Sequence, residues 1–246
     1  MTFFALDNAD AILITTPDGR RVLIDAGTDK DGKNLVKRFK KEGIDALDAL
    51  IVTHFDKDHV GGADRVLDAL DVARVVMPQY AKDGRQYQDF VQALQKSGAQ
   101  AERLEANARL ELPLDDGATL LITAAHGTYY GEDEENDFSL CVRLAYGQTR
   151  FLFPGDAEDA RQRELLAEGD VACDVLKVPH HGRMHGATPA FLQAASPSIA
   201  FVPDGEDEPA NPVLLMLLED AGAQVYLTAD GDLTVLSDGE RVWAQR

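Results

Sequence analysis

Residues 51–62 read IVTHFDKDHVGG, which places His54, Asp56, Asp58 and His59 within six positions directly after a β-branched apolar run. Carboxylates and imidazoles crowded in this way repel or compete unless something binds them together. A cation does so, because neutral imidazole nitrogens and carboxylate oxygens suit zinc, manganese or iron. Leaving a strand into a loop, H-x-D-x-D-H can aim alternate side chains at one ion and the remaining pair at its neighbour. Gly61 and Gly62 then allow a tight turn into a helix. The competing reading is a solvated charged loop.

The remaining histidines are His126, His180, His181 and His185. Five of the six histidines fall at or just beyond the C-terminal end of an expected strand, the edge where layered α/β folds build their sites. Lys177 lies inside the strand that precedes His180. Either a salt bridge or a phosphate contact would explain it there. His185 extends the same site or is an exposed loop histidine.

Stepping outward to the elements, β-rich runs occupy 11–16, 20–26, 49–54, 73–78, 119–125, 139–146, 149–154, 174–179, 198–203, 224–229 and 232–237, with RVW near the end. Helical patterns alternate with them at 31–42, 62–70, 86–97, 157–168, 188–195 and 211–221. In the third helix Tyr87, Phe90, Val91 and Leu94 recur at the spacing of one buried face. Asn211 and Pro212 open the last helix, and Gly222 closes it. Its leucines 214, 215, 217 and 218 are expected in a core. Pro17-Asp18-Gly19, Tyr146-Gly147-Gln148 and Ser237-Asp238-Gly239 mark hairpins. RVLIDAG (21–27) echoes RFLFPGD (150–156), and LIVTH (50–54) echoes LKVPH (176–180), so the chain reads as two similar halves. The fold expected is α/β, a four-layer αβ/βα sandwich over residues 1–246 as one domain, with two mixed sheets face to face and helices outside. The long polar stretch 127–138 (GTYYGEDEENDF) borders a site in this reading.

The composition bounds the partners. Hydrophobic residues make up 45% of the 246, enough for a substantial core, while the net charge of −19 repels polyanions. Long nucleic acid is therefore disfavoured as a substrate. Cys141 and Cys173 sit in apolar runs and read as buried thiols. The N-terminus lacks a basic n-region, and no apolar run approaches the roughly 20 residues needed to span a bilayer, so a cytoplasmic location and no membrane partner are expected.

H-x-D-x-D-H after a strand resembles the second signature of the metallo-β-lactamase superfamily, whose usual form is H-x-H-x-D-H. LIDAG supplies Asp25 at the first signature, LFPGD supplies Asp156 at the fourth and LKVPHHG supplies His180 and His181 at the fifth. Asp56 in the middle, with G-D-A-E and L-K-V-P-H-H-G, is most similar to the hydrolase domain of ComEC-type DNA-uptake proteins, its free-standing relatives and the phosphorylcholine esterases. The resemblance implies two divalent cations, zinc foremost and manganese or iron otherwise. One would be held by His54, Asp56 and His126, the other by Asp58, His59 and His181, with Asp156 bridging. Asn136 and Asp137 rival His126 for the third signature. Asp25 would fix a loop histidine from behind. Of the pair His180 and His181, His181 is assigned to metal and His180 is expected to face substrate as a proton donor, with His185 and Arg183 as further substrate contacts. Paired cations would lower the pKa of a bridging water, and the hydroxide would attack phosphorus or carbonyl carbon.

The rim departs from that branch. LDNADA (6–11) stands where a glycine-containing loop is usual, Arg183-Met184-His185 follows HHG, and PDGEDEPANP (203–212) brings four acids where an aromatic and a histidine are common. The leading expectation is hydrolysis of a small or nucleotide-like phosphodiester, toward which the oxygen donor at Asp56 inclines. Ester, lactone or β-lactam hydrolysis on the same site is the alternative. A non-catalytic acidic scaffold is a third reading, and a di-iron oxygen-reducing protein a fourth.

Overall fold

The computed structural model describes residues 1–114, 117–131 and 135–245. Among the described residues two large sheets run through it, beside a two-stranded one of Ala46–Leu47 and Asp71–Val72. The larger has the strand order Val242–Gln245, Leu233–Ser237, Thr2–Phe3, Ile12–Thr15, Arg21–Ile24, Ala49–Ile51, Arg74–Pro78 and Gln100–Leu104. The smaller has the order Gln224–Leu227, Ile199–Val202, Val175–Lys177, Thr149–Phe153, Cys141–Tyr146, Ala118–Thr123 and Arg109–Pro113. Each is antiparallel on one side and parallel on the other. The change comes at Arg21–Ile24 with Ala49–Ile51 in the first sheet and at Thr149–Phe153 with Val175–Lys177 in the second.

Those two junctions are the echoed sequences. In each, a strand enters a loop and a helix, α1 (Asp29–Lys41) or α4 (Asp159–Glu168), and returns as a parallel neighbour. The remaining helices are α2 (Ala63–Ala69), α3 (Arg85–Ser97), α5 (Thr188–Ala195) and α6 (Pro212–Asp220).

Side-chain alternation sorts the layers. Ile12 and Ile14 join Phe151 and Phe153 between the sheets, whereas Leu13 and Leu152 point outward beneath helices. Strands such as Ala49–Ile51 and Ile199–Val202 are covered on both faces, which is why they are apolar throughout. Burying each such side chain contributes about 1.5–3 kcal/mol. The architecture is the expected αβ/βα sandwich. Both cysteines are free and buried. Leu214 and Leu218 lie in the core, with Leu215 and Leu217 packed against it.

Local signals explain the helix starts. Thr28 and Asp31 form a reciprocal capping box on α1, and Asn211 Oδ1 accepts from Val213 N ahead of Pro212 on α6. The loop that carries the clustered histidines and aspartates is pinned where α1 and α2 approach backbone to backbone. A Cβ on Gly62 would lie 2.2 Å from the Ala26 carbonyl oxygen and 2.6 Å from Gly32 Cα. Gly62→Ala is therefore expected to cost about 1–3 kcal/mol in chemical denaturation. An unchanged midpoint would show that the contact yields without cost.

Candidate metal centre

The loops that leave Arg21–Ile24, Ala49–Ile51, Thr149–Phe153 and Val175–Lys177 meet at one edge of the sandwich and carry Asp25, His54 to His59, Asp156, and His180 with His181. Three of these residues sit in the left-handed region that side chains rarely adopt: Asp25 (φ 54°), His180 (φ 46°) and His181 (φ 52°). Each such conformation costs about 1–3 kcal/mol and persists only where the surroundings enforce it. Here it turns the His181 imidazole and the Asp25 carboxylate inward.

Three buried imidazoles are held from behind in the same manner. His59 Nδ1 donates to Asp25 Oδ2 at 2.9 Å, and His181 Nδ1 donates to the Pro203 carbonyl at 3.0 Å. His54 Nδ1 lies 3.1 Å from Thr53 Oγ1, which itself donates to Asp25 Oδ2 at 2.7 Å. Each ring is thus fixed with Nε2 facing into the site, and all three Nε2 atoms are buried without an aligned hydrogen bond. Donor atoms of Asp58, His59, Asp156 and His181 lie within 4.8 Å of one another. Asp156 Oδ2 is 2.9 Å from His181 Nε2 and 3.2 Å from His59 Nε2, and Asp58 Oδ2 is 3.2 Å from His181 Nε2. Imidazole Nε2 atoms with Nδ1 anchored by an outer acceptor, set among carboxylates, are the donor set of a zinc, manganese or iron site. These residues fit a divalent cation.

Electrostatics agrees with the geometry. Burial alone would lower the His181 pKa, but the Asp156 carboxylate raises it to about 9. The same competition lifts His59, where Asp156, Asp10 and Asp25 overcome burial. Burial pushes Asp58 up, yet His181 and His59 hold it well below the usual carboxylate range. His54, with burial dominant, falls to about 4 and stays neutral. The site without metal is thus proton-loaded at its centre. A raised folded-state pKa stabilises the fold fully below the unfolded value of 6.5, and that contribution is lost as pH climbs toward about 9. Metal-free protein should therefore lose denaturation midpoint between those pH values, and His181→Gln should flatten the loss. A flat profile in both would contradict the ion pair with Asp156.

Behind the cluster, Lys177 is 1% exposed. Its ammonium reaches Asp10 Oδ2 at 2.5 Å, Asp156 Oδ1 at 2.9 Å and the Gly155 carbonyl at 2.9 Å. That is the salt bridge, and a buried ammonium so engaged makes no phosphate contact. Asp10 itself was missed by the sequence reading. It lies in the loop 6–11, and its only signal was an acid ahead of the first long strand, remote in sequence from every other ligand candidate.

Two expected positions need correction. His126 is not brought to the cluster: its Nε2 is 3.1 Å from Glu168, its backbone N–H donates to Glu164, and its side chain is 39% exposed. The chain turns after Ala125 so that the ring lies against α4. Its rival Asp137 caps α4 by accepting from the N–H groups of Glu158, Ala160 and Arg161. Asn136 does stand at the site edge, its Nδ2 2.9 Å from Glu158 and 3.5 Å from His180 Nε2. Residues 132–134 of the polar stretch lie outside the described residues.

The second correction concerns His180 as proton donor. It turns away from the carboxylates of the cluster and stacks on His185, with 2.9 Å between His180 Nδ1 and His185 Nε2 and 3.1 Å from Nδ1 to Glu158. Burial lowers its pKa to about 3, so it is neutral at pH 7. Arg183, which can only donate, faces its Nε2 at 3.1 Å, so the ring proton resides on Nδ1. His180 orients Arg183, whose other arm pairs with Glu208.

A cleft of about 490 Å³ opens beside Asp58, lined among others by Asn8, Lys30, Lys57, Glu206, Asp207 and Glu208. Three of the four acids in 203–212 therefore do line the rim, while Asp204 is buried.

A sandwich with buried imidazoles and carboxylates converging at its sheet edge defines an α/β protein with a candidate divalent-cation site. Comparison with known proteins narrows this. The family model described as the metallo-beta-lactamase superfamily matches residues 5–203. ComE operon protein 3 of Bacillus subtilis (strain 168) is 28% identical over 176 residues, which are 71% of this chain and 22% of that protein. The chain spans about a fifth to a quarter of the length of the curated relatives it matches. Among solved structures, the metallo-beta-lactamase fold protein YhfI from Bacillus subtilis superposes with a TM-score of 0.59 at 13% identity, covering 98% of both chains. A diphosphatase from the PhnP family gives 0.53 at 19% identity, covering 92% of this chain and 84% of the other. At these identities the structures show the fold alone. The chain belongs to the metallo-β-lactamase superfamily of metal-dependent hydrolases, in its ComEC-like branch. Among the described residues no helix is long and apolar enough to cross a membrane.

Proposed function

We propose that this chain is a metal-dependent phosphoesterase acting on a small or nucleotide-like phosphodiester. The observation that carries the reading is the set of anchored, inward-facing Nε2 atoms, buried without an aligned hydrogen bond, that converge on Asp58 and Asp156. Divalent cations bound there would supply an activated water and neutralise charge developing on phosphoryl oxygens. The chain's own residues do the rest. Asp25, Thr53 and the Pro203 carbonyl hold the imidazoles in the ligating tautomer. Lys177 keeps Asp156 ionised and aimed. Arg183, fixed by His180 and Glu208, would meet an anionic substrate alongside Lys30 and Lys57 of the cleft, and it offers the planar fork that suits phosphate.

The rim supports a small substrate over a long polyanion. Glu206, Asp207 and Glu208 flank the cleft beside Asp58, and together with the net charge of −19 they oppose an extended phosphate backbone.

The experiment is turnover of bis(p-nitrophenyl) phosphate by metal-stripped protein, with zinc or manganese added back. Metal-dependent release of nitrophenol is expected. Bound metal without phosphodiester turnover, together with cleavage of ester or lactone substrates, would replace this reading by the carboxyl-ester one.

A further inference from the structure

We infer that the Lys82 ammonium occupies the place where the family resemblance sets a first cation, so that this chain takes one divalent cation tightly and a second only in competition with Lys82. The inference rests on reading Asp58, His59, Asp156 and His181 as a metal site. It concerns the other half of the expected pair.

Of the three donors expected there, only two are near the centre. His126 faces Glu168, and among the described residues no three His, Cys, Asp or Glu donor atoms that include His54 or Asp56 lie within 4.8 Å of one another. The Asp56 carboxylate is already paired. Lys82 Nζ stands 2.5 Å from Asp56 Oδ1 and 2.5 Å from Glu135 Oε2. An ammonium has three donors and no acceptor, so it hydrogen-bonds Asp56 and offsets the charge of both carboxylates without a metal, and it cannot itself ligate one while protonated. His54 Nε2 is left buried and without a hydrogen bond beside them.

The placement of Lys82 is built rather than incidental. It follows Tyr80, whose hydroxyl accepts from Phe55 N at 2.9 Å, next to Asp56. The Tyr80 ring also stacks on Phe138 at 4.8 Å, at the end of the short turn that carries Glu135. One aromatic residue therefore ties the Lys82 loop to both carboxylates it bridges. The Lys82 side chain is 27% exposed, so a cation can displace it, at the expense of that ion pair.

The test is calorimetric titration of zinc into metal-stripped wild type, Lys82→Met and Lys82→Arg. Wild type should take one tight equivalent, with a second weaker by on the order of 100-fold. Lys82→Met should tighten the second by on the order of 10–100-fold, while Lys82→Arg, which keeps a cation, should bind as wild type does. Two sites of similar affinity in wild type, or a second site unmoved by Lys82→Met, would overturn the role of Lys82 alone. Absence of a tight equivalent in every protein would overturn the metal reading beneath it, and this inference with it.

Discussion

Asp156→Ala should abolish metal-dependent phosphodiester turnover, a loss on the order of 10²–10³-fold or more. Asp156 is where the centre converges: one oxygen faces both His59 and His181, and the other accepts from Lys177. Its backbone N–H is held by Ser139 Oγ at 3.1 Å, so the carboxylate is placed by the fold rather than by a mobile loop. Without it, the Nε2 atoms of His59 and His181 lose the carboxylate they face, and a cation loses its most buried anionic donor. Asp156→Asn keeps the volume and should fail equally, because an amide oxygen carries no charge to offset the cation. The measurements are turnover and retained zinc after dialysis. Asp156→Ala protein that keeps its zinc and turns over within tenfold of wild type would remove Asp156 from the centre.

The second large effect is on stability. Lys177→Met should cost about 3–5 kcal/mol in the metal-free protein, the usual consequence of removing one partner of a buried ion pair. Burial alone would depress the Lys177 ammonium, but Asp10 and Asp156 raise it, so it is charged at neutral pH. Deleting it leaves two carboxylates, 4% and 2% exposed as residues, facing each other without their cation. Zinc should return part of the loss, since a bound cation at Asp156 supplies charge to the same carboxylate. A Lys177→Met midpoint within about 1 kcal/mol of wild type, on the scale of an exposed pair, would show that the triad is not the anchor described.

Much of this was legible in the sequence because apolar residues repeat with the period of each element. The central strands stand out as apolar runs, the face of Tyr87, Phe90, Val91 and Leu94 marks α3, and each α-helix among the described residues falls on an expected helical stretch. The strands that escaped are short or polar. Gln100–Leu104 and Arg109–Pro113 each lie at the edge of a sheet with mostly exposed residues, so their sequences, QAERL and RLELP, look like loop. Thr2–Phe3 has only two residues, set by pairing with Leu233 and Thr234 far along the chain.

The site divides in the same way. His54, Asp56, Asp58 and His59 are neighbours in sequence, so their chemistry is visible without a structure. Asp10 and Lys82 are single charged residues in polar loops, and only the topology brings them to Lys177 and Asp56. His126 misled because order along the chain was its sole support, and the turn after Ala125 sends its ring to α4 instead. His180 and His181 are adjacent and chemically identical in sequence. Two successive left-handed residues send one ring to Asp156 and the other to His185.

The most direct test of the central claim is X-ray absorption at the zinc edge on protein loaded with one equivalent of zinc. Asp58, His59, Asp156 and His181 predict a first shell of two imidazole nitrogens with oxygen donors and no sulfur, falling to one imidazole in His181→Gln. Failure to retain zinc, a sulfur shell from Cys141 or Cys173, or a spectrum unchanged by His181→Gln would contradict it.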